Sequence, residues 1–343
     1  MLNLVQPRVD CEMLRTRLPR EYPEVPENLE LLPGAGTGNR SFQARADGQG
    51  WFVRVRNPKY AAAPAMEFEH DLLVALREAG LPVHPPLLSR QGKPWAWIGS
   101  ACVQLSPLVV GEAFTPGCQA QITAAARFLA RLHQEGRRFL GDPRKQWDRE
   151  DSYMVIFAGF DLVRHRDTDG RYAADLNALA QSLHHFLGEL PAQRFWKLPQ
   201  SIVHADFHQG NLLFRGDQLA GVFDWDYACE HPRLKDVANA LMYLAARRPR
   251  PFDPGDIRTY VQPPTFEPAW VEAFLSAYEA SEPLTDEEWA VLPAMMVGRW
   301  MQTRSCAIIK LPEEERLEVF CDQMAQTLDQ LWSFRAPGRG PAL

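Results

Sequence analysis

The sequence predicts an α+β chain in two lobes: a small antiparallel β-sheet lobe with one helix, then a large, mainly helical lobe. Three observations carry this. Residues 29–56 alternate apolar and polar side chains at period two between turn residues. From residue 116 onward, apolar residues recur at helical spacing. A chain of 343 residues exceeds one small core and fits two lobes. The expected division is a small lobe over 1–105, a hinge at 106–111 and a helical lobe over 112–343.

The elements follow in order. Residues 1–25 read as a short helix stopped by the proline-bearing LPREYPEVPE. LELL is a short apolar strand, and PGAGTGN a glycine turn. SFQARA and WFVRVR flank DGQG, whose Asp-Gly signals a hairpin. Along WFVRVR, Trp51, Val53 and Val55 share one face, and Phe52, Arg54 and Arg56 the other. Residues 65–79 read as a helix closed by Gly80. Its apolar side carries Ala65, Leu72, Leu73 and Leu76, and also Glu69, a carboxylate that needs a cation there. Two or three strands follow before residue 112. Helices are then expected at 118–136, 173–190, 233–247, 267–281, 285–310 and 313–332, with the strand QLAGVF between them. The tail RAPGRGPAL reads as frayed.

The net charge of −6 argues against nucleic acid and anionic membranes as partners. No run approaches the roughly 18 apolar residues of a membrane span. The start, MLNLVQPRVDCEML, lacks the pattern of a secretory signal, and the six scattered cysteines form no CxxC pair. A cytoplasmic protein with reduced thiols, monomeric or homodimeric, is expected.

The chemistry concentrates in SIVHADFHQGNLLF, residues 201–214. Asp206 and Asn211 stand five apart, His204 two before the aspartate, and Asp224 at the end of the next strand. Phosphoryl transfer to a hydroxyl needs a carboxylate to orient the acceptor, oxygen ligands for Mg²⁺, and cations on the phosphates. Asp206 fits the first role, and Asn211 and Asp224 the second. Two other readings compete. A hairpin would use Asp and Asn only to cap turns. A metallohydrolase would gather His204, Asp206 and His208 on one strand face, which leaves Asn211 unexplained. Upstream, LPGAGTGNRSF lies between strands. No helix follows, so it is not a dinucleotide-binding turn. It can instead lay backbone N–H groups over nucleotide phosphates.

HADFHQGN and FDWD resemble the catalytic loop and metal turn of the aminoglycoside phosphotransferase and choline kinase superfamily, which has a bilobal protein-kinase-like fold. The departure is Ala205, where glycine is common; the same turn is expected. The resemblance spans roughly residues 28–245, and GVFDWDYACEHPRLKDVANAL looks like the homoserine kinase branch. It implies an ATP-dependent small-molecule kinase acting on a hydroxyl of an amino alcohol, aminoglycoside or sugar-like acceptor, or of homoserine specifically. It implies Gly36, Gly38 and Asn39 at the nucleotide, and Arg54, held by Glu69, on the α/β-phosphates, with Arg56 as the alternative. Gln104 to Ser106 would offer backbone groups to a purine. Asp236 would brace the catalytic loop, His133 and His204 would be structural, and Asp226 would approach the second metal or rim the site. His208 would touch the phosphates or stay structural. The segment after Asp224 is too short to dock a peptide. A nucleotide-binding module without turnover stays open.

Overall fold

The computed structural model describes residues 9–34, 39–145 and 151–337. The small lobe opens with α1 (Cys11–Glu21), started by Asp10, whose side chain accepts the Met13 N–H at 2.8 Å. Strands β1 (Glu30–Pro33), β2 (Arg40–Ala46) and β3 (Gln49–Val55) follow. The β2–β3 turn runs through Asp47 (φ 51°) and Gly48 (φ 77°), the positive pair that matches strand twist in a tight hairpin. Then come α2 (Ala63–Glu78), β4 (Ala96–Ile98) and β5 (Ala101–Pro107). The sheet order is β1-β2-β3-β5-β4, antiparallel throughout. Trp51, Val53 and Val55 are buried with Leu14, Leu18 and Leu105 in the small lobe's core. The alternation read from WFVRVR is therefore observed.

Helix α2 does more than cover the sheet. Phe68, Leu72, Leu73 and Leu76 belong to the core of the large lobe, beside Ile122, Ala125 and Leu129 of α3 (Gln119–Gly136). At roughly 1.5–3 kcal/mol for each buried side chain, this face fastens the small lobe to the large one. Glu69 lies on the same helix, turned toward the sheet and 3% exposed.

The large lobe begins with β6 (Glu112–Ala113) before α3 and continues with α4 (Asp151–Val163), α5 (Ala173–Glu189) and α6 (Ala192–Phe195). Strands β7 (Gln200–Val203), β8 (Leu212–Arg215), β9 (Gln218–Val222) and β10 (Cys229–Pro232) carry the site. They form a β6-β8-β9 sheet and a β7-β10 ladder. Helix α7 (Leu234–Leu244) is buried over its whole length. Strands β11 (Ala246–Arg247) and β12 (Thr265–Phe266) pair across a long loop. Helices α8 (Pro268–Glu279), α9 (Asp286–Ile308), α10 (Arg316–Cys321) and α11 (Met324–Trp332) complete the lobe. Thr285 and Glu288 close a capping box at the start of α9. Glu288 also takes Arg233, just before α7, at 2.7 and 2.8 Å, which fixes α7 against α9.

Three elements depart from expectation. Helix α4 has no counterpart among the expected helices. A Cβ at Gly159 would overlap Ser305, so the glycine permits close contact with α9. The expected helix at 313–332 is broken where Gln323 turns left-handed (φ 52°). Strand β5 runs on to Pro107, into the segment expected as a hinge. Among the described residues no helix is long and apolar enough to cross a membrane.

Candidate active site

Strand β7 ends at Val203, and the chain then turns through Ala205 at φ 63°. This is the left-handed turn expected of a position where glycine is common. It also breaks the period-two alternation, so His204, Asp206 and His208 do not share a strand face. Both nitrogens of His204 are engaged: Nε2 faces the Phe223 C=O at 2.9 Å, and Nδ1 accepts the Asp206 N–H at 3.3 Å. Burial lowers the His204 pKa and keeps the ring neutral. Among the described residues no group of three His, Cys, Asp or Glu converges as a metal cluster would. The metallohydrolase reading is corrected on these grounds.

The loop is pinned from below. Asp236, fully buried on α7, accepts the N–H of His204 at 2.6 Å and of Ala205 at 2.8 Å. Its Oδ2 lies 3.4 Å from His133 Nε2, and His133 Nδ1 meets the Tyr278 hydroxyl at 2.7 Å. One turn along α7, Asn239 donates to the Phe207 C=O at 2.9 Å. Arg299 of α9 donates to the Ala205 C=O at 3.1 Å. The Phe207 ring stacks on Phe128 of α3 at 6.0 Å. With every neighbour held, the Asp206 carboxylate is 34% exposed, with Asn211 Nδ2 at 3.3 Å and His208 Nε2 at 3.4 Å from its Oδ2. Burial raises its pKa, but His208 and Arg299 outweigh that and hold the carboxyl well below the usual range. Asn211 Nδ2 donates to the Asp206 C=O at 2.9 Å, which leaves the Asn211 side-chain oxygen for another partner.

Across from this loop stands Asp224, left-handed (φ 64°) at the end of β9 and 41% exposed. Its turn is locked by Trp225, whose indole donates to the Val222 C=O at 3.0 Å. Lys145 donates to the Trp225 C=O at 3.1 Å and lies 3.9 Å from Glu69. Asn211 and Asp224 thus carry hard oxygen donors beside Asp206, a pair that suits Mg²⁺.

The small lobe supplies the cations, but not in the expected pairing. Glu69 takes Arg56 rather than Arg54, with Nη1 3.0 Å from both carboxylate oxygens. Arg56 also donates to Gln104 Oε1 at 2.8 Å and the Tyr60 C=O at 2.9 Å, and lies 2.9 Å from Asp226 Oδ1. Arg54 instead bonds Asp224 and, at 3.0 Å, Asp226. The reason is register: Arg56 lies just past the end of β3, where α2 brings Glu69 against the sheet. Asp226 is buried and receives Asn39 Nδ2 at 2.7 Å as well, so three small-lobe side chains converge on it.

Gln104 and Ser106 are also corrected. Arg56 N–H to Cys102 C=O and Leu108 N–H to Gly50 C=O bracket the β3–β5 ladder at 2.9 Å each. With Arg54 opposite Gln104 and Phe52 opposite Ser106, the alternation turns the backbone groups of both toward β3. On the strand's other edge the Leu105 C=O already accepts the Leu87 N–H at 2.7 Å, and Pro107 follows. Gly36 and Gly38 lie outside the described residues.

His208 forms an aromatic wall rather than reaching toward the small lobe. Its ring lies 5.5 Å from Tyr243, 5.5 Å from Phe252 and 5.2 Å from Tyr260. Its Nδ1 accepts the Gly210 N–H at 3.0 Å, which leaves Nε2 facing Asp206 at 3.4 Å. Sequence reasoning missed Lys145, Asn239, Arg299 and this wall. Asn239 alone had a signal, three residues after Asp236 on one helical face.

A model of the phosphotransferase enzyme family matches residues 31–292, past the residue 245 at which the sequence resemblance stopped. The chain belongs to the phosphotransferase enzyme family. A homoserine kinase of Beijerinckia indica is 28% identical over 295 residues, 83% of each chain. One of Methylobacillus flagellatus is 26% identical over 265 residues, 76% of this chain and 73% of its own. Among solved structures, an amicoumacin kinase in complex with AMP-PNP and Ca²⁺ is 18% identical at a TM-score of 0.67, covering 95% of this chain and 96% of that one. A microcompartment-associated aminopropanol kinase is 19% identical at 0.66, over 94% and 99%. The fold is the protein-kinase-like phosphotransferase fold, as the sequence implied. The family member described here is a kinase that phosphorylates an alcohol group of a small molecule.

Proposed function

We propose that this phosphotransferase moves the γ-phosphate of ATP to the side-chain hydroxyl of homoserine. The observation that carries the chemistry is Asp206, ionised and held by its neighbours, with Asn211 bonded to its backbone and Asp224 across the cleft. Asp206 orients the acceptor hydroxyl and takes its proton as the bond to phosphorus forms. Asn211 and Asp224 would hold Mg²⁺, which neutralises charge on the phosphates. Arg54, the more exposed of the two arginines, steadies the phosphates, and Arg56, buried on Glu69 and Asp226, holds the lobes behind it. Asn39 lies at the nucleotide, and the Pro107 end of β5 meets the purine.

The acceptor rests on the curated relatives, which are homoserine kinases over most of this chain's length. The test is ADP release by the purified protein with Mg²⁺–ATP and L-homoserine, 3-aminopropan-1-ol, choline, kanamycin or a hexose. The expected result is the highest kcat/KM for homoserine by at least tenfold. A higher value for any other acceptor would replace homoserine. No release above background with any of them would overturn the kinase reading.

A further inference from the structure

The buried arginines of this protein differ in what balances their charge. Arg56 has Glu69 and Asp226, and Arg233 has Glu282 and Glu288. Arg304 donates to the Val319 and Phe320 carbonyls in the last turn of α10. Arg248 donates to the Met242 carbonyl in the last turn of α7. Helix C-termini carry partial negative charge, so both of these cations are offset.

Arg299 has neither kind of partner. It lies in the middle of α9 and is only 9% exposed. Its acceptors are all neutral: the Ala205 C=O at 3.1 Å, Asn239 Oδ1 at 3.2 Å and Gln302 Oε1. Its Nε is buried without an acceptor. Among the described residues no carboxylate lies within ion-pair distance of it. It is nonetheless close enough to Asp206 to help hold that carboxyl down. Asp206 offsets this charge only from beyond ion-pair distance, and a buried guanidinium whose hydrogen-bond partners are all neutral gains from an anion in direct contact.

We infer that Arg299 recognises a carboxylate on the acceptor, so that the substrate class is hydroxy acids with the carboxylate a few bonds from the reacting hydroxyl. This rests on the kinase reading above and deepens it. Arg299 touches the residue just before Asp206, so a hydroxyl on Asp206 and a carboxylate on Arg299 are within reach of one short molecule. Four bonds from hydroxyl oxygen to carboxylate carbon, as in homoserine, span about 5 Å when extended. Arg299 Nη1 keeps one N–H beyond its bond to Gln302, enough for a charge-assisted hydrogen bond to one carboxylate oxygen. An acceptor with only an ammonium would bring this floor a second cation.

The test is binding and turnover with matched acceptors. L-Homoserine, 4-hydroxybutyrate (no ammonium) and 3-aminopropan-1-ol (no carboxylate) are titrated calorimetrically against wild-type protein holding Mg²⁺–ADP. The expected order puts both carboxylate-bearing molecules at least tenfold tighter than aminopropanol. Equal or tighter binding of aminopropanol would overturn the inference without any variant. Arg299→Gln then separates recognition from bracing. Recognition raises KM for homoserine at least tenfold more than for aminopropanol. A brace for the catalytic loop lowers kcat alike on both acceptors, and that outcome would also refute the inference. Turnover of aminopropanol or choline in preference to homoserine sinks the Arg299 assignment and leaves the kinase standing. Absence of Mg²⁺–ATP turnover with every acceptor sinks both.

Discussion

Arg54 and Arg56 sit two residues apart on one strand face and should respond differently to removal. Arg56 is bonded within both lobes, and its loss strands Glu69 and leaves Asp226 short of a cation, both buried. Arg56→Met should destabilise the protein by about 3–5 kcal/mol, the range for breaking a buried ion pair. Arg54→Met should do so by about 1–2 kcal/mol, because Asp224 is partly solvated and Asp226 keeps Asn39 and Arg56. Urea midpoints of the two variants check this, and equal losses would refute it. At the same scale, Asp206→Asn should cut kcat about 10²–10⁴-fold while the Mg²⁺–ATP thermal shift persists. The chemistry-bearing residues at 204–211 and 224 were legible because their spacing is local. Which arginine meets Glu69 was not. Period two puts both on one face, and the choice depends on how residues 57–62 carry the chain into α2.

The catalytic loop is held as an element, by two N–H groups on one carboxylate and a left-handed turn at an alanine. Alanine is strained there by about 1–2 kcal/mol. Ala205→Gly should therefore be neutral or stabilise by up to about 1 kcal/mol, whereas Ala205→Val should destabilise. Thermal unfolding of both variants decides it, and a stabilising valine would contradict the geometry. The turn was legible as a departure from a glycine position, and its hydrogen bonds to Asp236 followed. The break at Gln323 was not legible, because nothing local in FCDQM marks a left-handed residue. Helix α4 was not among the expected helices, and its Gly159 is required by a long-range contact with Ser305 that the local sequence does not show.

At the scale of the whole molecule, the lobes are joined by an apolar helix face and by a polar cluster on Asp226. That arrangement follows from long-range contacts and could be guessed from the sequence only as an order of lobes. It also gives the fold a pH response. His70, His84 and His204 are all held below the ordinary histidine pKa by burial. In the unfolded chain they protonate near 6.5. Below that pH the unfolded state binds protons that the folded state refuses, so stability falls as the pH drops through 6.5 toward the folded pKa values. The urea midpoint should be lower at pH 5.5 than at pH 7.5, in a window above the carboxylate range. A midpoint unchanged or higher at pH 5.5 would contradict this assignment of neutral buried rings.

The central claim is transfer of a phosphoryl group by Asp206 at this cleft. It is tested most directly by following the γ-phosphorus of ATP with ³¹P NMR in the presence of Mg²⁺ and L-homoserine. The wild type should convert the γ-resonance into a phosphomonoester, and Asp206→Asn should leave it in place over the same period. Appearance of inorganic phosphate alone, or equal phosphomonoester from both proteins, would contradict the account.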